Sequence, residues 1–452
     1  MVLNLKQFFR CSLLYSTIFW YLSLFPGRLP FDSSDAIRML QRGESTEQWT
    51  PLFFWILKLS TFNGQFISLA SALMAIGFLY SFHFFIHSIP LLEEKTKSRA
   101  LFVFTLTPIY GFWSVTVSHD STFTIGFVMA ISIIMRVSAH SNRTVKPVSV
   151  FVGTIFLLTS WLGYVLILLF LLSLLILKQK HMALLCLFAV LTAGLSSIGV
   201  NSTREDVVFR PLLVDLKCVA QHPEAVITPG TWEQLLKISP KTNWLTPVSC
   251  SSMDRAVQVL YGSGTDLTNL RWSDVIPAYF QLLKDNPAIM LVGHIQRSSV
   301  ALPPLLFQPP KNQVSWDLNQ PVGIGTNTMI QQGPEVLHPS IDEKSVDITI
   351  PIVEYLEFIP QLLGFLVNQA SWFWGWGGFW ILFLLYLLHT RFQAIRIRNR
   401  ILLFSPLGLF HFLLFILMPD PTPRYVLPTI LLGNLAFILL VIARHTAKNQ
   451  IN

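Results

Sequence analysis

The chain has 452 residues, of which 52% are hydrophobic and only 12% charged. Soluble chains carry about 25% charged residues, so the deficit excludes an ordinary water-soluble globule and points to a lipid surround. The net charge of +8 is unevenly placed: residues 201–350 hold 11 Lys/Arg against 14 Asp/Glu, a net of −3, which leaves +11 for the rest. No soluble basic domain is left to bind nucleic acid.

Apolar runs of about 18 residues cross a bilayer core of roughly 30 Å as helices, because lipid cannot satisfy open backbone groups. The first run, Cys11–Phe25, has the length of a signal peptide. No small-residue cleavage site follows it and more runs do, so it reads as a retained span. Spans are expected near 11–27, 65–89, 100–117, 121–137, 148–163, 164–178, 182–200, 372–389, 401–418 and 425–443. The bases cluster beside these runs, at Lys6 and Arg10, Lys95–Arg99, Arg136–Lys146, Lys178 and Lys180, Arg391–Arg400, and Arg444 and Lys448. Clustered bases mark cytoplasmic loops. Ten spans with both ends inside put every cluster in the cytoplasm and Asp32, Asp35, Asp120 and Asp420 outside. The uncharged stretch Val148–Leu177 is either one tilted span or two short ones meeting at Thr159–Tyr164; two keep Lys178 inside.

The fold expected is an all-α polytopic membrane protein of about ten transmembrane helices with a mixed exoplasmic insert. Its parts are an N-terminal transmembrane module (1–200), the insert (201–350) and a C-terminal transmembrane module (351–452). The insert, about 150 residues long, can bury a small core. It has a helical pattern over Trp272–Leu283 and loop-like stretches around 302–345, and 352–367 reads as an interfacial helix. Cys218 and Cys250 lie in the insert, where an extracytoplasmic setting permits a disulfide. Cys11 and Cys186 lie in apolar runs and read as packing residues.

Three loops carry candidate chemistry. In the first, Asp32 either caps a short helix at Ser33, with Asp35 one turn on, or acts as a general base held at the membrane surface. The second, Ser118-His119-Asp120-Ser121, puts an acid beside apolar spans. Such an acid is a functional candidate or the N-cap of the following span, and a neighbouring His makes His119 and Asp120 a weak divalent-metal pair. The last loop contains Pro421, Pro423 and Arg424-Tyr425. A guanidinium there suits a phosphate, or it pairs with Asp420. The absence of a charge in mid-span counts against an ion-coupled transporter.

The order of these features resembles the GT-C superfamily of membrane glycosyltransferases, in particular the branch of protein O-mannosyltransferases and lipid A aminoarabinose transferases. The resemblance rests on the acidic first loop followed by Trp49-Thr50-Pro51-Leu52, the Ser118-His119-Asp120 loop, the broken apolar pair at Leu158–Tyr164, and Arg424-Tyr425-Val426-Leu427-Pro428. It covers residues 1–200 and 370–440. It implies a GT-C-like fold and transfer of a hexosyl or pentosyl group from a polyprenyl-phosphate sugar to a glycan, lipid or protein acceptor outside a plasma membrane, one of bacterial type. It implies Asp32 or Asp35 as base, since the family's two adjacent acids are here separated. Asp120 is the second catalytic acid, and Arg424, Tyr425 and His119 bind the donor phosphate. Mg or Mn is the metal it would place at Asp120 and His119. Two rival readings are a transporter or flippase of lipid-linked sugars, and a non-catalytic membrane assembly protein docking through 201–350.

Overall fold

The computed structural model describes residues 5–24, 27, 33, 36–37, 39–40, 49–90, 92–139, 145–195, 206–250, 253–261, 270–302, 377–391, 397–417 and 423–451. Every described element is a helix or 3-10 turn, and 84% of this part is helical with no strand. Four helices are long and apolar enough to cross a membrane: Ile67–Ser88, His119–Ser138, Asn399–Leu417 and Arg424–Thr446.

The membrane part begins with α1 (Leu5–Ser23), α2 (Pro51–Ser60) and α3 (Ile67–Ser88). The Trp-Thr-Pro segment does not run straight into a span. Thr50 accepts from the Phe53 amide and Pro51 fills the first turn, so a separate ten-residue helix forms before α3. The apolar stretch expected at 100–117 is broken in the same way. Helix α4 (Glu94–Thr105) ends, Thr107 caps, and Pro108 starts α5 (Pro108–Ser114). Beyond it come α6 (His119–Ala139), α7 (Pro147–Leu157), α8 (Trp161–Ile176) and α9 (Lys180–Leu195). The stretch 148–177 is thus two helices of 11 and 16 residues, about 16 and 24 Å long and each shorter than a bilayer core. A Cβ on Gly163 would overlap the Leu157 carbonyl, so α8 starts against the end of α7.

The regular elements of the insert are helices, with no strand among the described residues, so it is not mixed. It comprises α10 (Asp206–Ala220), α11 (Pro229–Ile238), α12 (Lys241–Leu245), α13 (Met253–Tyr261), α14 (Trp272–Asp285) and α15 (Pro287–Ser298). It has its own core around Phe209, Leu213, Leu216, Leu235, Trp244 and Leu282, separate from the membrane core. A Cys218–Cys250 disulfide pins α10 to the segment before α13, with Cα atoms 5.4 Å apart. Lys217 is fully buried and donates to the Trp244 and Thr246 carbonyls. After the insert a 3-10 turn (Ser299–Ala301) precedes α16 (Gly377–Arg391), α17 (Ile397–Leu417), a second 3-10 turn (Pro423–Val426) and α18 (Leu427–Ile451). The helix expected at 352–367 lies outside the described residues.

Side-chain contacts fix helix directions. Ser16 bonds Thr105, Trp20 covers Gly111, and Gly27 packs on Val115, so α1 runs alongside α4 and α5 toward His119. Ser71 donates to the Val115 carbonyl at 3.0 Å and Arg136 lies over Phe84, so α3 and α6 run together away from it. Helix α17 runs against α6: Asn399 donates to the Ser138 carbonyl at 3.2 Å, while Phe410 packs on Phe123 and Phe127.

Candidate active site

Ser118, not Asp120, caps α6. Its Oγ accepts from the Ser121 amide at 3.1 Å. The capping reading of Asp120 therefore falls away, and its carboxylate sits in the first turn, where the helix dipole favours an anion. Its Oδ1 lies 3.3 Å from His119 Nε2. His119 packs edge-on to Phe53 of α2, with ring centroids 5.9 Å apart. Thr122 bonds Thr159 at 2.8 Å, which ties this turn to the break between α7 and α8.

Arg424 stands in the 3-10 turn before α18. Its Nη2 donates to the Tyr425 hydroxyl at 3.0 Å, and its guanidinium lies 5.0 Å from the Tyr425 ring centroid. The turn is at the same end of the bundle as His119. Helix α17 runs toward that end, as its contacts with α6 require, and α18 turns back from there. His411 of α17 reaches Thr429 of α18 at 2.8 Å.

Asp32, Asp35 and Asp420 lie outside the described residues, so their side chains are not placed. Both borders of the first loop, however, touch the second. Gly27, with φ +119°, leaves no room for a Cβ between Ser71 and Val115, and Phe53 meets His119. Helical residues Ser33, Ala36 and Ile37 between them are fully buried. Among the described residues, Ser23 Oγ, Ser33 Oγ, Trp49 Nε1 and His119 Nδ1 are buried without a protein hydrogen-bond partner.

For a divalent metal the described residues supply too little. No three His, Cys, Asp or Glu side chains converge among them, and His119 and Asp120 alone are short of a coordination set.

A second polar constellation lies where the insert meets the bundle, and the sequence reading missed it. Asp215 of α10 is 1% exposed and Arg297 of α15 0%. Arg297 Nε donates to Oδ1 and Nη2 to Oδ2 of Asp215, both at 3.0 Å. His294 Nδ1 is 2.9 Å and the Tyr279 hydroxyl 3.3 Å from Asp215 Oδ2. Burial alone would push the Asp215 carboxyl up. The His294 hydrogen bond and the Arg297 charge outweigh burial and hold it below the ordinary carboxylate value. The Tyr279 hydroxyl is pushed up to about 12 by burial and by Asp215. Arg297 also reaches the Ile416 carbonyl of α17 at 3.5 Å, and His294 stacks edge-on to Phe415. The Ala301 carbonyl lies 3.2 Å from His411 Nδ1. The insert is thus seated at the same end of the bundle as Arg424. The one signal in the sequence was a pair of charges, Asp215 and Lys217, set among apolar neighbours in α10.

Compared with models of known protein families, with curated proteins and with solved structures, the chain matches none.

Proposed function

We propose that the protein is a membrane glycosyltransferase of ten spans that moves a sugar from a polyprenyl-phosphate donor to an acceptor at the His119 end of the bundle, taken as extracytoplasmic. The observation that carries this reading is the sharing of one end: Asp120 and Arg424 lie there, beside the borders of the acidic first loop and beneath the insert. A lipid-linked sugar needs that geometry, because its polyprenyl chain lies along the helices while its phosphate and sugar sit at the water boundary. Buried, unpartnered Trp49 Nε1 and Ser33 Oγ are groups that sugar hydroxyls or phosphate oxygens can satisfy.

The chemistry is a single displacement at the anomeric carbon. An acceptor hydroxyl gives its proton to a carboxylate, Asp32 or Asp35, and its oxygen forms the new bond to that carbon. The bond from carbon to phosphate oxygen breaks, its electron pair leaves with the polyprenyl phosphate, and the configuration inverts. Arg424, braced by Tyr425, balances charge on the departing phosphate. Asp120, oriented by His119, holds the acceptor or sugar hydroxyls in line.

The test is incubation of the purified protein, in liposomes, with radiolabelled polyprenyl-phosphate sugars. Donor consumption that Asp120→Asn and Arg424→Lys each lower at least a hundredfold supports the reading. Intact donor appearing on the far side of the membrane, with no consumption, would instead make the protein a flippase.

A further inference from the structure

At the end of the bundle away from His119, basic side chains gather around one carboxylate. His87 Nδ1 is 2.6 Å from Glu94 Oε2, and Lys97 Nζ is 3.0 Å from Glu94 Oε1. The His83 ring lies against His87, with centroids 4.3 Å apart. Arg136, near the end of α6, rests its guanidinium 4.6 Å from the Phe84 ring centroid. Glu94 and Lys97 offset one another, and Arg136 adds a permanent cation beside the two imidazoles. The Tyr80 hydroxyl bonds Ser149 at 2.9 Å, which brings the start of α7, with exposed Lys146, alongside.

The cluster crowns a continuous stripe. Leu69, Leu73, Ile76 and Tyr80 are exposed large apolar side chains on α3, and exposed His83 and mostly buried His87 follow them. Steps of three and four put all six on one helix face. Helix α3 is long and apolar enough to cross a membrane, so this face meets lipid chains along its length and basic groups at its end.

We infer that this face of α3 binds an anionic phospholipid, its phosphate among His83, His87 and Arg136, with the buried Lys97–Glu94 pair behind them, and its acyl chain along Leu69, Leu73, Ile76 and Tyr80. Guanidinium and ammonium groups hold phosphate oxygens through charge-assisted hydrogen bonds, and basic pockets at the ends of spans select acidic headgroups. A free phosphate ion would use only the head of the site, which is why a lipid is the occupant. The site is at the other end of the bundle from the proposed glycosyl chemistry and does not depend on it.

The experiment is native mass spectrometry and thermal unfolding of the full, detergent-solubilised protein. It is titrated with dioleoyl phosphatidylglycerol, dioleoyl phosphatidylcholine or inorganic phosphate. The expected result is retention and stabilisation by phosphatidylglycerol alone. Arg136→Gln and His83→Glu should each weaken it about fivefold or more, as expected for loss of one basic contact. Equal binding of the two lipids, equal stabilisation by phosphate, or unchanged phosphatidylglycerol affinity in the variants overturns the proposal. Should Arg136→Gln fail to fold, His83→Glu, at an exposed position, decides it alone.

Discussion

Replacing Asp215 by Leu removes the carboxylate that holds the seam between insert and bundle. Two Arg297 hydrogen bonds of 3.0 Å and the His294 contact of 2.9 Å go with it. Arg297, fully buried, is left as an uncompensated cation, and breaking a buried pair in this way costs about 3–5 kcal/mol. Replacing both residues, as Asp215→Leu with Arg297→Met, removes the stranded charge as well as the pair. The double variant should then regain most of the loss, because apolar groups of similar volume substitute for buried pairs at little cost. Native-state hydrogen exchange in detergent reads this out at the amides of α10 and α15, where 3–5 kcal/mol corresponds to a rise in exchange of roughly a hundredfold to a few thousandfold, tenfold per 1.4 kcal/mol. The reasoning fails if Asp215→Leu costs under about 1 kcal/mol, or if the double variant is no more stable than the weaker single one.

Acid should loosen the same seam. The Asp215 carboxyl titrates below its unfolded value in the folded protein. Its contribution is therefore complete above about pH 4 and is lost as pH falls through the lower folded value, measurable as faster exchange in α10 at low pH but not at pH 6. Reducing the Cys218–Cys250 bridge, which closes a loop with a sequence separation of 32, should cost the insert about 3–4 kcal/mol, seen as a lower unfolding temperature for the insert with the bundle unchanged. Gly163→Ala should lower the melting temperature of the whole protein, since its Cβ meets the Leu157 carbonyl and backbone; a backbone shift of this kind costs about 1–3 kcal/mol. Lys217→Met strands the Trp244 and Thr246 carbonyls, a loss of about 1–3 kcal/mol readable by urea unfolding.

The helical, lipid-facing character of the chain was legible because apolar length is a signal that each segment carries by itself. The break within Val148–Leu177 was legible too, near Thr159–Tyr164, and Gly163 packs there on the Leu157 carbonyl through a contact that no sequence pattern encodes. Local punctuation was read less well. Thr50-Pro51 and Thr107-Pro108 are both cap-and-proline starts; the first reads as a lead into the span at 65–89, and the second lies inside the apolar run at 100–117. The cap of α6 reads from sequence as one of two roles open to Asp120, because Ser and Asp both cap helices, and only the hydrogen bond from the Ser121 amide assigns it to Ser118. Asp215 and Arg297 went unnoticed for a different reason. They meet across 82 positions of sequence, and neither has a motif around it.

If the protein acts as proposed, helix α6 limits how a lipid-linked donor can arrive. Within its apolar window 83% of the residues are hidden inside the protein, so it is a central post fenced by its neighbours and not a wall facing oil. A molecule diffusing sideways in the bilayer cannot slide along this post to Asp120. It has to come over the rim, past α2 and the first-loop borders, or through a gap that neighbouring helices open. A carbene reagent dissolved in the membrane should accordingly mark α3 and α9 heavily and leave the shaft of α6 almost blank, with labelling confined to its opening turn.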